Sequence, residues 1–272
     1  LKVVEPIEEV VYFDQAKLLA VDHPLGTTVY PNEMMAVNCV PPAFELFCFD
    51  DSIEPVRATD HEGTDVKGAL ASIDRIYAGP TELDHRFTGY AKDHSIELDF
   101  GDQLSALSTH KRVVLFAQGW VHYSYSATNF AAAQAGTRLR APSIHVWREG
   151  QWVELFHEIG YPAGLRHMMT LELTDKLLST DQRLRITSNM ELYWDRIFLA
   201  PLADSALSVQ ALGVSQADLH FLGYPKEFSP DGRLPKLYDY DSVDRMIPWK
   251  SMAGQYTRYG DVTELLDHPD DR

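Results

Sequence analysis

Asp195 lies in the segment "NMELYWDRIFLA" (189–200), where a carboxylate follows two large aromatics and precedes an apolar run. Three chemistries are open to such an acid: general acid/base catalysis, metal ligation, or a structural role as a hydrogen-bond acceptor. Catalysis by a carboxylate needs a second acid or a histidine within reach, and the neighbouring sequence offers neither. Asp195 is therefore expected to be a structural carboxylate on the same strand face as Tyr193 and Ile197. It needs a partner, because burying a bare charge is costly. Arg183, Arg185 or the backbone amides of a neighbouring loop would serve.

A second stretch, "GWVHYSYSATNF" (119–130), packs Trp120, His122, Tyr123, Tyr125 and Phe130 together. Aromatics at a strand end can stack on a sugar ring or on a partner's side chain, and the ordinary alternative is a core that spills onto a loop. Trp120, His122, Tyr123, Tyr125 and, far along the chain, Trp249 are the candidate binding residues. A hydrolase or metal enzyme would need His122, His157 or His167 to converge with Asp195 or Glu158 in one cleft. "FHEIGYPAGLRH" (156–167) holds two of those histidines, but Gly160, Pro162 and Gly164 forbid the helix that would align them, so a turn is expected. In "DYDSVD" (239–244), Asp239 and Asp241 resemble the start of a calcium loop, and Asp244 follows. The glycine and distal glutamate of an EF-hand are missing, which makes these three weak metal candidates, with calcium the cofactor they would suit. The chain has no nucleophile elbow, P-loop, dinucleotide fingerprint or H-E-x-x-H. It also lacks C-x-x-C-H, so no covalently held haem is expected. Cys39 and Cys48 fit no zinc spacing, and a disulfide and two buried thiols both remain open.

The elements that must position these residues are mostly strands. "RVVLFAQGW" sends Val114, Phe116 and Gln118 to one face and Val113, Leu115 and Ala117 to the other. "SIELDFG" alternates, and "SIHVWREGQWVELF" reads as a hairpin turning at Glu149-Gly150. "RLRITSNMELYWDRIFLA" reads as two strands joined by a turn at Ser188-Asn189. "NFAAAQAG" is a short helix closed by Gly136. Many short strands with frequent turns predict a mainly β chain, an antiparallel β-sandwich of jelly-roll, galactose-binding-like type over residues 1–202. Residues 50–68 are expected to be a polar surface excursion. Residues 203–272 are expected to form an extended, Pro/Gly-rich arm. Its stretch 229–259 is too broken for regular ladders, yet carries Tyr238, Tyr240, Trp249 and Tyr256 as anchors that should pack on the sandwich or on a neighbouring chain.

Composition limits the partners. The net charge of −16 argues against nucleic acid, and no apolar run is long enough to cross a bilayer. With 45% hydrophobic residues the chain can bury a core. The start at Leu1 leads us to expect a piece of a longer protein.

Five motifs occur in order along nearly the whole chain: "EEVVYFDQAKLLAVDHP", "VYPNE", "GYPAG", "RITSNMELYWDRIFLA" and "YTRYGDVTELL". In that order the chain resembles the C-terminal region of large bacterial FG-GAP repeat proteins with an ASPIC/UnbV segment, often accompanied by tetratricopeptide repeats. The resemblance implies a secreted, cell-surface or periplasmic setting and a longer parent protein. In such proteins the region usually follows a calcium-binding propeller, whose D-x-D-x-D-G repeat this chain lacks. The expected function is a non-catalytic extracellular module that binds a protein or glycan, or that braces an assembly. The alternatives are a hydrolase built on a His/Asp cluster and a subunit of a surface electron-transfer complex.

Overall fold

A computed structural model describes residue 3 and residues 11–35, 44–203, 207–246 and 256–269. In chain order the strands are β1 (Lys17–Asp22), β2 (Thr28–Pro31), β3 (Met34–Met35), β4 (Leu46–Phe49), β5 (Arg57–Asp60), β6 (Tyr90–Asp99), β7 (Val113–Val121), β8 (Ser143–Arg148) and β9 (Gln151–Phe156). They continue as β10 (Tyr161–Pro162), β11 (His167–Glu172), β12 (Arg183–Met190), β13 (Leu192–Pro201), β14 (Ser208–Gly213), β15 (Asp218–Leu219), β16 (Tyr224–Phe228), β17 (Leu237–Asp244) and β18 (Gly260–Asp261). Among the described residues there are also two helices, α1 (Asp102–Leu107) and α2 (Ser126–Gln134), and two 3-10 turns. Strand accounts for 44% and helix for 10%, so the chain is mainly β, built of antiparallel sheets.

The chain divides into two compact units, 24–205 and a smaller one made of 1–23 with 206–272. The larger unit has a five-stranded sheet, β5-β6-β12-β8-β9, and a three-stranded sheet, β11-β7-β13. Alternation sends Ile96, Leu98, Ile144, Val146, Leu184 and Ile186 inward from the first sheet. Leu115, Ala117, Met169, Ile197 and Leu199 meet them from the second, and these residues form one apolar core. The other face of the three-stranded sheet is also buried. There Phe116 and Phe198 stack with centroids 4.9 Å apart, under Phe47 and Phe49 of β4. Both faces of β7 are therefore apolar, as its uninterrupted run "VVLF" requires.

Several expectations are corrected. β1 does not belong to the larger unit; it pairs antiparallel with β14 in the smaller one. The stretch 50–68 is not a free excursion. Ala58 is fully buried and β5 pairs with β6 as an edge strand of the five-stranded sheet. β12 and β13 do not form a hairpin. At Glu191 the chain crosses from one sheet to the other, because Leu184 and Leu199 approach the same core from opposite sides. The expected arm forms ladders after all: β16 pairs with β17 through a bulge, and β15 pairs with β18. Pro225 is tolerated next to that bulge. Tyr240 and Tyr256 stay about half exposed, and Trp249 lies outside the described residues.

Other expectations hold. β8 and β9 turn at Glu149 and Gly150, which have φ of 49° and 80°, the pair of positive angles a two-residue hairpin turn needs. Gly136, at φ 74°, follows α2 as its left-handed cap. Cys48 is a buried free thiol whose Sγ donates to the Ala203 carbonyl; Cys39 lies outside the described residues. No helix among the described residues is long and apolar enough to cross a membrane.

Candidate functional site

The outer face of the five-stranded sheet is the candidate site. Because residues alternate in and out along each strand, the ladder register fixes what stands side by side on it. One row crosses all five strands as Arg57, Asp99, Arg183, Trp147 and Trp152. Arg57 and Arg183 each face Asp99 across the ladder, and Trp147 faces Trp152. The second row runs Thr59, Glu97, Arg185, His145, Glu154. In the third, Thr187 lies between Ser95 and Ser143. The face thus grades from aromatic and guanidinium groups, through alternating charges, to hydroxyls.

Arg183 lies 4.5 Å from the Trp147 ring centroid and 5.7 Å from that of Trp152, while Arg185 lies 4.1 Å above Trp152. The two indoles meet edge to face at 5.2 Å. Arg185 also pairs with Glu97 at 2.5 Å. Across the second and third rows the surface sinks into a cleft of about 410 Å³, lined among others by His61, His94, His145, Arg140, Glu154 and His157. That volume suits a small organic ligand. His157 Nδ1 lies 3.1 Å from Glu154 Oε2 and His145 Nε2 lies 3.8 Å from the same oxygen. Burial holds the His94 imidazole below its ordinary pKa, with the neighbouring His61 acting in the same direction and the Lys92 carbonyl opposing. Burial also lowers His145, against the pull of Glu154. Near neutral pH both rings are therefore uncharged, each with one donor and one acceptor nitrogen.

The residues singled out from the sequence fall elsewhere. Trp120 is 5% exposed and stacks on Tyr193 at 4.6 Å, so it packs the molecule and cannot offer a ring to a ligand. Its position on a strand buried on both faces decides this. Glu191 takes a hydrogen bond from the Tyr193 hydroxyl at 3.0 Å, and its other oxygen lies 2.9 Å from His122 Nδ1. Burial, reinforced by Glu191, pushes the Tyr193 phenol above its ordinary pKa. Tyr123 and Tyr125 are exposed, and neither lines the cleft. His122 meets Glu191, His157 meets Glu154, and His167 lies near Glu33, so the three histidines do not converge. Asp239 and Asp244 accept the amides of Asp241 and Met246. Among the described residues no three His, Cys, Asp or Glu side chains are grouped to hold a metal.

Asp195 is a hydrogen-bond acceptor whose partners are loop amides. It is fully buried and takes the N–H of Asp74 at 3.2 Å and of Arg75 at 3.1 Å. It does not share a face with Ile197. The ladder between β13 and β7 shifts between Trp194 and Arg196, making Asp195 the extra residue of a β-bulge that reverses the alternation. Trp194 and Ile197 therefore both point into the core. Opposite the bulge stands Gly119, where a Cβ would strike the Tyr193 carbonyl and the Trp194 ring.

Sequence reasoning missed the rows and the cleft. The signal available was the alternation of Arg183, Arg185 and Thr187 against Leu184 and Ile186, and of His145 and Trp147 against Ile144 and Val146. Both strands set polar and aromatic groups opposite a committed apolar face. Comparison of the chain with protein-family models, with curated proteins and with solved structures yields no match.

Proposed function

We propose that the chain is a non-catalytic binding module of a larger extracellular or cell-surface protein of the FG-GAP, ASPIC/UnbV kind, and that it holds its ligand on the outer face of the five-stranded sheet. One observation carries this reading. Five strands from distant parts of the chain contribute their outward residues to a single face, which joins two half-buried tryptophans to a cleft of about 410 Å³. A strand face that meets only water needs no tryptophans, whereas partly exposed aromatics beside convergent polar groups are the usual make-up of a recognition surface. Two hydroxyls in the cleft are engaged by the backbone. Ser143 Oγ accepts the Glu158 N–H and Ser188 Oγ donates to the Arg140 carbonyl, which favours binding over nucleophilic chemistry. The ordered motifs of the chain support the family setting, and the opposition of two antiparallel sheets around one core supports the jelly-roll, galactose-binding-like form.

The test is an array of saccharides and peptides probed with the wild-type chain and with Thr187→Tyr, whose outward ring would fill the cleft mouth while keeping strand propensity. Retention on a subset of the array and its loss in Thr187→Tyr, with circular dichroism unchanged, is the expected outcome. Equal retention of both proteins, or none of either, refutes the reading. Cleavage of a retained member would move the assignment to a hydrolase.

A further inference from the structure

We infer that the ligand of this face is an acidic saccharide, its carboxylate or sulfate taken by Arg183 and its ring laid against Trp147 and Trp152; this rests on the binding reading above. The guanidinium of Arg183 is the decisive group. Among the described residues it makes no hydrogen bond or ion pair, although Asp99 is its cross-strand neighbour; the Asp99 carboxylate is turned to the Gly101 amide at 2.9 Å. Its contacts are the faces of Trp147 and Trp152. Those contacts hold the cation in place and leave its N–H edges for an acceptor from outside. In a chain of net charge −16 a positioned, half-buried and unpaired guanidinium is a specific anion receptor. Arg185, by contrast, is neutralised by Glu97.

The rest of the face fits a sugar better than a bare anion. Both indoles are half-buried, so part of each ring remains open to the C–H face of a pyranose. From Trp147 to Ser143 the strand advances roughly 13 Å, four residues at about 3.3 Å each. Over that length the surface presents His145, Ser143 and, from neighbouring strands, Glu154, Thr187 and Ser95. These supply donors and acceptors in alternation, as hydroxyl groups require. An extended acidic peptide would bring a charge at every residue to a cleft whose own guanidinium, Arg140, is already held by Asp93, and whose carboxylates Glu154 and Glu158 are held by His157 and Arg138.

Calorimetry with tri-galacturonate, maltotriose and hexaglutamate on the wild type, Arg183→Gln, Arg183→Lys and Thr187→Tyr tests the assignment. Tri-galacturonate is expected to bind the wild type more tightly than maltotriose and to weaken with added salt. Its affinity should fall about tenfold in Arg183→Gln, with partial retention in Arg183→Lys, as for loss of one charge-assisted contact. Maltotriose binding should not change in either. Equal affinity for the two saccharides, or unaltered tri-galacturonate binding by Arg183→Gln, overturns the acidic-saccharide assignment. In that case a loss of binding in Thr187→Tyr would leave the broader reading standing. Tighter binding of hexaglutamate would also overturn it and assign a peptide. Failure of both saccharides to bind overturns it too, and the array then decides the binding reading separately.

Discussion

Replacing Asp195 separates two reasons why a buried carboxylate is kept. The loop 71–78 runs along β13 through bridges of Ala71 with Arg196 and of Ala78 with Trp194. Between them, Asp195 accepts the amides of Asp74 and Arg75, and Arg75 sits at φ 72°, a left-handed conformation that costs a non-glycine residue about 1 kcal/mol. Asp195→Ala removes both acceptors. An unpaired buried donor costs about 1–3 kcal/mol, and the low end applies here because Asp74 is exposed and water can reach the loop once it loosens. Two donors and the small void left beneath them together give a loss of about 2–3 kcal/mol. That corresponds to a fall in Tm of roughly 4–12 °C at 2–4 °C per kcal/mol. Asp195→Asn behaves differently. Burial pushes the Asp195 pKa up, against the two amides that lower it, so the charge itself is disfavoured in the folded protein. An amide oxygen keeps an acceptor and carries no charge, and its stability should lie within about 1 kcal/mol of the wild type at neutral pH. The pH dependence follows from the same direction. With a raised native pKa the folded state binds more protons, so the wild type gains on Asp195→Asn as the pH falls through the window just above the ordinary carboxylate value. Urea unfolding supplies the free energies, and hydrogen exchange at the Asp74 and Arg75 amides reports the loop. The reasoning is refuted if Asp195→Ala is as stable as the wild type with both amides still protected. It also fails if Asp195→Asn loses as much as Asp195→Ala.

Two further perturbations follow from buried charge. Asp181 is fully buried and held by Arg148 through contacts of 2.8 and 2.6 Å, so Arg148→Met strands a carboxylate and should cost about 3–5 kcal/mol in urea unfolding; a loss under about 1 kcal/mol would show that water replaces the guanidinium. His94 has its pKa lowered by burial, so the unfolded chain binds more protons near the ordinary imidazole value. Stability should fall as the pH drops through and below that value, a slope that His94→Asn should reduce; an unchanged slope would remove His94 as its source.

How much of this was written in the chain varies with the range of the interactions. Local pattern was enough for the mainly β class, the division of β7 into two faces, the hairpin at Glu149-Gly150 and the cap at Gly136, since each depends on side-chain period or on φ at one or two residues. That Asp195 must find donors was also legible, because burying a bare charge is costly. Its face was not: a one-residue bulge reverses the alternation, and what permits the bulge is Gly119 on a strand paired from far away in sequence. Trp120 could be named from sequence but not placed, since an aromatic at a strand end looks the same whether the sheet covers it or leaves it open. The candidate site was beyond local reading altogether. Thr59, Glu97, Arg185, His145 and Glu154 become neighbours only when five strands pair in the order β5-β6-β12-β8-β9. Sequence alone sets which residues of each strand face outward. Which of them stand together, and therefore what they can bind, is decided by strand order and register, and those are fixed by burial of the opposite, apolar face.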